Sequence, residues 1–188
     1  ILSNGYQKTQ ELEIWVGVLE KHLNNQSLRW WRHIMLNELE RKIVDISYEQ
    51  KLSHLSSCLN TVGILDHIYT IKDRDDIVVL GNSHAALALF VVLEKHEGKN
   101  AKELQKRHGT HANRNLEDGI YVSGGSLGQA ETVAVGLAMA NRDRNVYLVT
   151  SDGACAEGSV WEALRVAADY RLENLRVTVI ANGYSGYD

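Results

Sequence analysis

The chain has no proline among its 188 residues, where roughly 5% is usual. It has only two cysteines, Cys58 and Cys155. Two thiols cannot build a metal cluster by themselves, and free thiols are the expectation for a cytoplasmic protein. No apolar run approaches the roughly 18 residues of a membrane-spanning helix. Residues 1–10 are polar, unlike a secretory leader. There is no basic block either: 20 Lys and Arg against 24 Asp and Glu leave a net charge of −4. The clustered positive surface that sequence-independent nucleic-acid binding needs is therefore missing. No internal repeat or low-complexity linker breaks the chain. What is present, 44% hydrophobic and 23% charged residues, is the balance of an ordinary soluble globular protein, with length for one sizeable domain and an additional arm.

The first fifty residues form that arm. From Gln10 to about Glu49 the chain is rich in Leu, Glu, Arg and Lys, with Ile34, Leu36, Leu39, Ile43 and Ile46 at roughly helical spacing. Trp15, Trp30 and Trp31 fall here and read as packing residues. Residues 51–188 read as an α/β domain. Thr61 to Tyr69 is helical. Ile77 to Leu80 is a short, wholly apolar run suited to a buried parallel strand. Ala85 to Lys95 is a helix stopped by Gly98. Asn100 to Asp118 is polar and irregular. "VSGGSLGQAETVAVGLAMA" is a glycine-rich turn followed by a helix of small residues. Strands over Val146–Thr150 and Arg176–Ala181 flank a helix over Ser159–Tyr170. The alternation predicts βαβ crossovers and a doubly wound parallel sheet with helices on both faces.

In such sheets ligands bind beyond the carboxyl ends of the strands. All three predicted strands end in small and polar residues: "GNSH", "TSDG" and "ANGYSG". A carboxylate followed by glycine, Asp152-Gly153, can hold a cation while bare backbone approaches a phosphate. Magnesium takes oxygen ligands, usually one or two carboxylates, with substrate phosphates filling other positions. Asn182 lies 30 residues after Asp152 at the next strand end, so its amide and the Tyr184 carbonyl could face the same ion.

The segment "SDGACAEGSVWEALRVAADYRLENLRVTVIANG" resembles the thiamine diphosphate motif, which begins GDG and ends near an Asn. "EGSVWEA" resembles transketolase in particular. "HLSSCLNTVGIL" is similar to the transketolase segment "HLGSSLS", "GNSHAALALF" to "SKGHAAPALY", and "SGGSLGQAETVAVGLAMA" to "TGSLGQGLSIAVGMALA". Four motifs in order make this a resemblance to the transketolase family, covering about 135 residues.

The resemblance implies the chemistry position by position. Asp152, Asn182 and the Tyr184 carbonyl would hold Mg²⁺, with Gly153 meeting the diphosphate of thiamine diphosphate. Gly125 and Leu127 would lie against the rings of the cofactor, and Glu157 near it at a subunit interface. His54, His84 and His111 would line the cofactor and sugar channel and serve proton transfer, His84 also contacting the cofactor. His111 is placed by its distance before Gly125. The family's "GHPE" loop here reads "GTHANRN", so His108 competes for the role. Ser151, Ser56 and Ala130 stand where the family has glycine.

The implied function is Mg²⁺- and thiamine diphosphate-dependent ketol (glycolaldehyde) transfer between sugars or sugar phosphates. The family also needs a pyrimidine-binding domain with a catalytic Glu, which these residues do not resemble. The expectation is a split enzyme, inactive alone, whose second subunit carries that domain, assembled as a homodimer or heterotetramer; truncation of a longer chain is the alternative. The competing functions are the alpha-type subunit of a 2-oxo-acid dehydrogenase and a non-catalytic scaffold or regulatory partner.

Overall fold

The structure, a computed structural model, describes residues 36–182. The expectations for residues 10–35, including Trp15, Trp30 and Trp31, and for Tyr184 lie outside the described residues.

The first element of the described residues, α1 (Glu38–Gln50), opens with a capping box. Asn37 Oδ1 accepts from Glu40 N at 2.9 Å, and Glu40 Oε2 accepts from Asn37 N at 2.8 Å. Two amides without helical partners are thus satisfied reciprocally. The helix ends on Lys51 in the left-handed conformation, φ 54°. Then come α2 (Leu55–Ile71), β1 (Ile77–Leu80), a 3₁₀ turn (Ser83–Ala85), α3 (Ala86–Glu97) and α4 (Ala101–His108). They are followed by α5 (Gln129–Ala140), β2 (Val146–Ser151), a second 3₁₀ turn (Ala154–Ala156), α6 (Gly158–Asp169) and β3 (Leu175–Ile180).

The three strands form one parallel sheet in the order β1-β2-β3, with Ile77 beside Val146 and Val146 beside Leu175. Side chains of a strand alternate between faces, and the apolar residues divide accordingly. Val78, Leu80, Val149 and Ile180 join α1, α2 and α3 in one core that contains Ile43, Leu65 and Phe90. Ile77, Val79, Val146 and Leu148 join α5 and α6 in the other, with Ala134, Ala138 and Ala163. Ala130, Ala134 and Ala138 of α5 sit where it packs against β2 and α6. Helices flank the sheet on both faces, and the strand order advances in one direction among the described residues. α3 is buried from Ala86 through Leu93, as expected of a helix apolar all round.

One stretch departs from the expectation. Within the supposedly irregular Asn100–Asp118, Ala101–His108 is helical. Asn100 Oδ1 accepts from Glu103 N at 3.0 Å, and Gly109 ends the helix at φ 69°. The polar composition hid a short amphipathic helix that buries only Ala101, Leu104 and Gln105. The Asn-x-x-Glu cap was its signal.

Candidate functional site

The register puts the chemistry along one edge. Val149 is beside Leu80 and Ser151 beside Ile180, so the segments after the three strands emerge together. Gly81 N donates to Val149 O at 2.6 Å, and Asp152 N donates to Ile180 O at 3.0 Å. Asn82-Ser83-His84, Asp152-Gly153 and Asn182 therefore leave the sheet as neighbours, at the carboxyl ends where open α/β sheets bind ligands.

Three of the predicted histidines meet there. The His54 and His84 rings are 5.3 Å apart between centroids, and His54 and His111 are 6.3 Å apart. They arrive from the start of α2, the turn after β1 and the loop after α4. His54 holds φ 63°, ψ 30°, a left-handed conformation that costs roughly 1–2 kcal/mol for a residue with a Cβ. Such backbone strain concentrates at functional sites. Burial, and then the charges of His54 and His111, hold the half-buried His84 below its ordinary pKa, favouring the neutral imidazole. His108 takes a different place. Its Nε2 lies 2.7 Å from Asp118 Oδ2, its ring packs 6.0 Å from that of Phe90, and its side chain is 7% exposed. Of the two competing histidines, His111 is the one brought to the cluster.

The glycine-rich turn closes the other side. Gly125 has φ 119°, and a Cβ there would lie 3.8 Å from His111 Cγ. Leu127 is half-buried beside it. Gly128, φ 78°, leaves no space for a side chain: a Cβ would meet Ser159 Oγ at 2.3 Å and Glu157 Cβ at 2.8 Å. Ser159 Oγ donates to Gly128 O at 3.0 Å. Glu157 thus packs directly on the turn that carries Gly125 and Leu127.

Asp152 and Asn182 are the two described members of the predicted metal set, both half-buried. Among the described residues no three His, Cys, Asp or Glu side chains stand together as a metal cluster. One carboxylate, one amide and remaining positions for phosphate oxygens are nevertheless the donor set that suits Mg²⁺. Asp152 Oδ1 accepts from Gly153 N at 3.0 Å. Ser151 Oγ accepts from Ala154 N at 3.2 Å, so its hydroxyl is engaged in the local turn. The bare glycine backbone, the oxygen donors and the imidazoles together fit a diphosphate cofactor held through a divalent cation.

Four residues of this region were not singled out by sequence. Asn82, 2% exposed, donates from Nδ2 to Thr61 Oγ1 at 2.9 Å, while its Oδ1 is buried without a hydrogen-bond partner. Ser83 Oγ lies 3.4 Å from His111 Nδ1. Thr150 Oγ1 donates to Glu131 Oε1, and that carboxyl is 1% exposed with Oε2 unpartnered. The signal for Ser83 and Glu131 was their mismatch with the transketolase motifs at those positions.

The chain matches, over residues 20–186, the family model described as 1-deoxy-D-xylulose-5-phosphate synthase. Its relatives include an apulose-4-phosphate transketolase subunit of Actinobacillus succinogenes, 42% identical over 158 residues (73% of this chain, 57% of that protein). The protein of the same name from Phocaeicola vulgatus is 28% identical over 162 residues (76% and 57%). The 1-deoxy-D-xylulose-5-phosphate synthase of Fusobacterium nucleatum is 27% identical over 151 residues (79% and 25%). The matched region thus spans 57% of the length of each of the two apulose-4-phosphate transketolase relatives.

Proposed function

The chain belongs to the transketolase family, in the thiamine diphosphate-binding region shared by transketolases and 1-deoxy-D-xylulose-5-phosphate synthase, and from this we propose that it is the diphosphate-binding subunit of a two-polypeptide, Mg²⁺-dependent ketol transferase. The observation that carries the proposal is that the segments bearing His84, Asp152 and Asn182 leave three adjacent parallel strand ends, with His84 clustered with His54 and His111.

Asp152, Asn182 and the Tyr184 carbonyl would hold Mg²⁺, and Gly153 would admit the diphosphate. Gly125, Leu127 and Glu157 would form the cofactor-facing wall. Thiamine diphosphate, when bound, supplies the electron sink for the carbanion of the transferred two-carbon unit. The histidines hold and move protons at the sugar hydroxyls. His84, kept neutral by its surroundings, is the acceptor, and His54 and His111 share the proton and bind sugar oxygens. Phosphorylated ketoses are the substrate class that the apulose-4-phosphate transketolase relatives suggest. The partner would bring the pyrimidine-binding domain and its catalytic Glu, in a cytoplasmic homodimer or heterotetramer.

Calorimetric titration with thiamine diphosphate and Mg²⁺, with and without the partner, tests this. Binding that Asp152→Ala abolishes, and transferase activity only with the partner, are expected. Full transfer by this chain alone sinks the split-enzyme reading. No heat under either condition assigns the chain to a non-catalytic scaffold.

A further inference from the structure

Four departures from the transketolase motifs fall, in two pairs, on residues that touch one another. Against "SKGHAAPALY", Gly81 stands at the serine and Ser83 at the glycine. Against "TGSLGQGLSIAVG", Gly124 stands at the threonine and Glu131 at the leucine. The contacts pair them crosswise. A Cβ on Gly124 would lie 2.0 Å from Ser83 Cβ and 2.3 Å from its Oγ. A Cβ on Gly81 would lie 2.9 Å from Glu131 Oε1 and 3.1 Å from Thr150 Oγ1. The Ser83 side chain occupies space that a side chain at Gly124 would need, and the carboxyl that replaces the motif's leucine at Glu131 reaches the space that a serine at Gly81 would fill. A side chain restored at Gly124 or Gly81 without its counterpart would overpack the contact.

Both exchanges install polar groups beneath the site proposed above. Ser83 Oγ reaches His111 Nδ1 at 3.4 Å. A bare Gly124, whose N donates to Ala112 O at 2.9 Å, lets the His111 loop come against Ser83. Engaging Nδ1 leaves Nε2 for the imidazole cluster. Glu131, in the first turn of α5, accepts from Thr150 Oγ1 on β2, two residues before Asp152. A buried carboxyl with one oxygen unpartnered is costly, and nothing in the packing of α5 requires it, since the motif's leucine serves a buried helix position.

We propose that Ser83 and Glu131 are positioning residues: Ser83 holds the His111 imidazole, and Glu131, through Thr150, holds the strand end that carries Asp152. The proposal rests on the strand-end reading of the site. In the full protein, Gly124→Thr alone should lower the thermal midpoint sharply, and Ser83→Gly/Gly124→Thr should restore it. The double variant should still show a shifted His111 Nδ1 nitrogen resonance and weaker thiamine diphosphate binding. Likewise Gly81→Ser/Glu131→Leu should fold yet need about tenfold more Mg²⁺ for half-maximal cofactor binding, the size of effect seen when a metal ligand's supporting residue is removed. Glu131→Gln, which keeps an acceptor for Thr150, should stay close to the unmutated protein.

A double variant no more stable than Gly124→Thr overturns the pairing. An unmoved His111 resonance overturns the role of Ser83, and an unchanged Mg²⁺ requirement overturns that of Glu131. The stability cycle and the resonance are read without cofactor. A protein that binds no thiamine diphosphate at all therefore sinks the site reading and Glu131's role with it, while Ser83's hold on His111 is still decided.

Discussion

His84 is a half-buried imidazole with two others around it, and burial and then those neighbours depress its pKa from 6.5. The unfolded chain takes up that proton more readily than the folded one. Stability tied to His84 is therefore intact above the ordinary value and falls as the pH drops below it toward the depressed one. His84→Asn should flatten that decline in thermal midpoints measured by calorimetry at successive pH values; an undiminished decline would assign it to other groups. Ser151 was the sharpest departure in the metal motif, with a hydroxyl able either to bind a phosphate or to crowd it. Its Oγ is instead turned to Ala154 N. Ser151→Gly should cost about 0.5–1.5 kcal/mol, the worth of one hydrogen bond, in denaturant unfolding. It should leave cofactor affinity nearly unchanged, and marked tightening would show a serine that obstructs the site.

The elements that present these residues are fastened by polar groups at their ends. At the end of the sheet remote from the site, Asn174 Nδ2 donates to Ala138 O, Asn141 O and Arg144 O at 2.9–3.0 Å, and Asp76 Oδ1 accepts from Asn145 N at 2.7 Å. These groups tie the exit of α5 to the starts of β1, β2 and β3. Asn174→Ala leaves three carbonyls without this donor and should destabilise by about 1–3 kcal/mol without altering the strand-end residues. Nearer the site, the loop from α4 to the glycine-rich turn is pinned by Asp118. Hydrogen bonds from His108 and Arg107 hold this carboxyl below its usual pKa, outweighing its burial. That contribution is complete above the unfolded value of 3.8 and is lost as the pH falls through the depressed one. Asp118→Asn should speed amide exchange at Gly124, whose N–H closes the base of the loop. Unchanged exchange would mean the base holds without the anchor. Neither anchor was legible in sequence, since each joins residues whose neighbourhood exists only after α4, α5 and the sheet have packed.

At the scale of the molecule, the described sheet has β1 buried throughout and β3 at an edge, with Val177 and Val179 39% and 46% exposed. An open groove of about 300 Å³ runs between α6 and β3, lined by Leu164, Leu172, Leu175 and Val177. Unpaired apolar edges invite association. In the 188-residue chain, Val179→Lys should reduce concentration-dependent light scattering; unchanged scattering would place self-association elsewhere. No helix of the described residues is long and apolar enough to cross a membrane. The strand-end edge, the site proposed here, exposes His54, His111 and Gly125 where the proposed second subunit would complete the cofactor site.

The sequence by itself determined the parallel α/β framework, because wholly apolar runs bounded by glycine and polar signatures have few other ways to bury themselves. It also supplied the ordered motifs that mark the family and nominate Asp152, Asn182 and the histidines. Only the tertiary structure separated His108 from His111: His108 ends α4, three residues before His111, and its packing against Phe90 and Asp118 keeps it out of the cluster. It alone revealed the crosswise exchanges of Ser83 with Gly124 and Glu131 with Gly81. Compensation between residues 41 and 50 positions apart is a matter of contact distance, which a linear pattern does not carry.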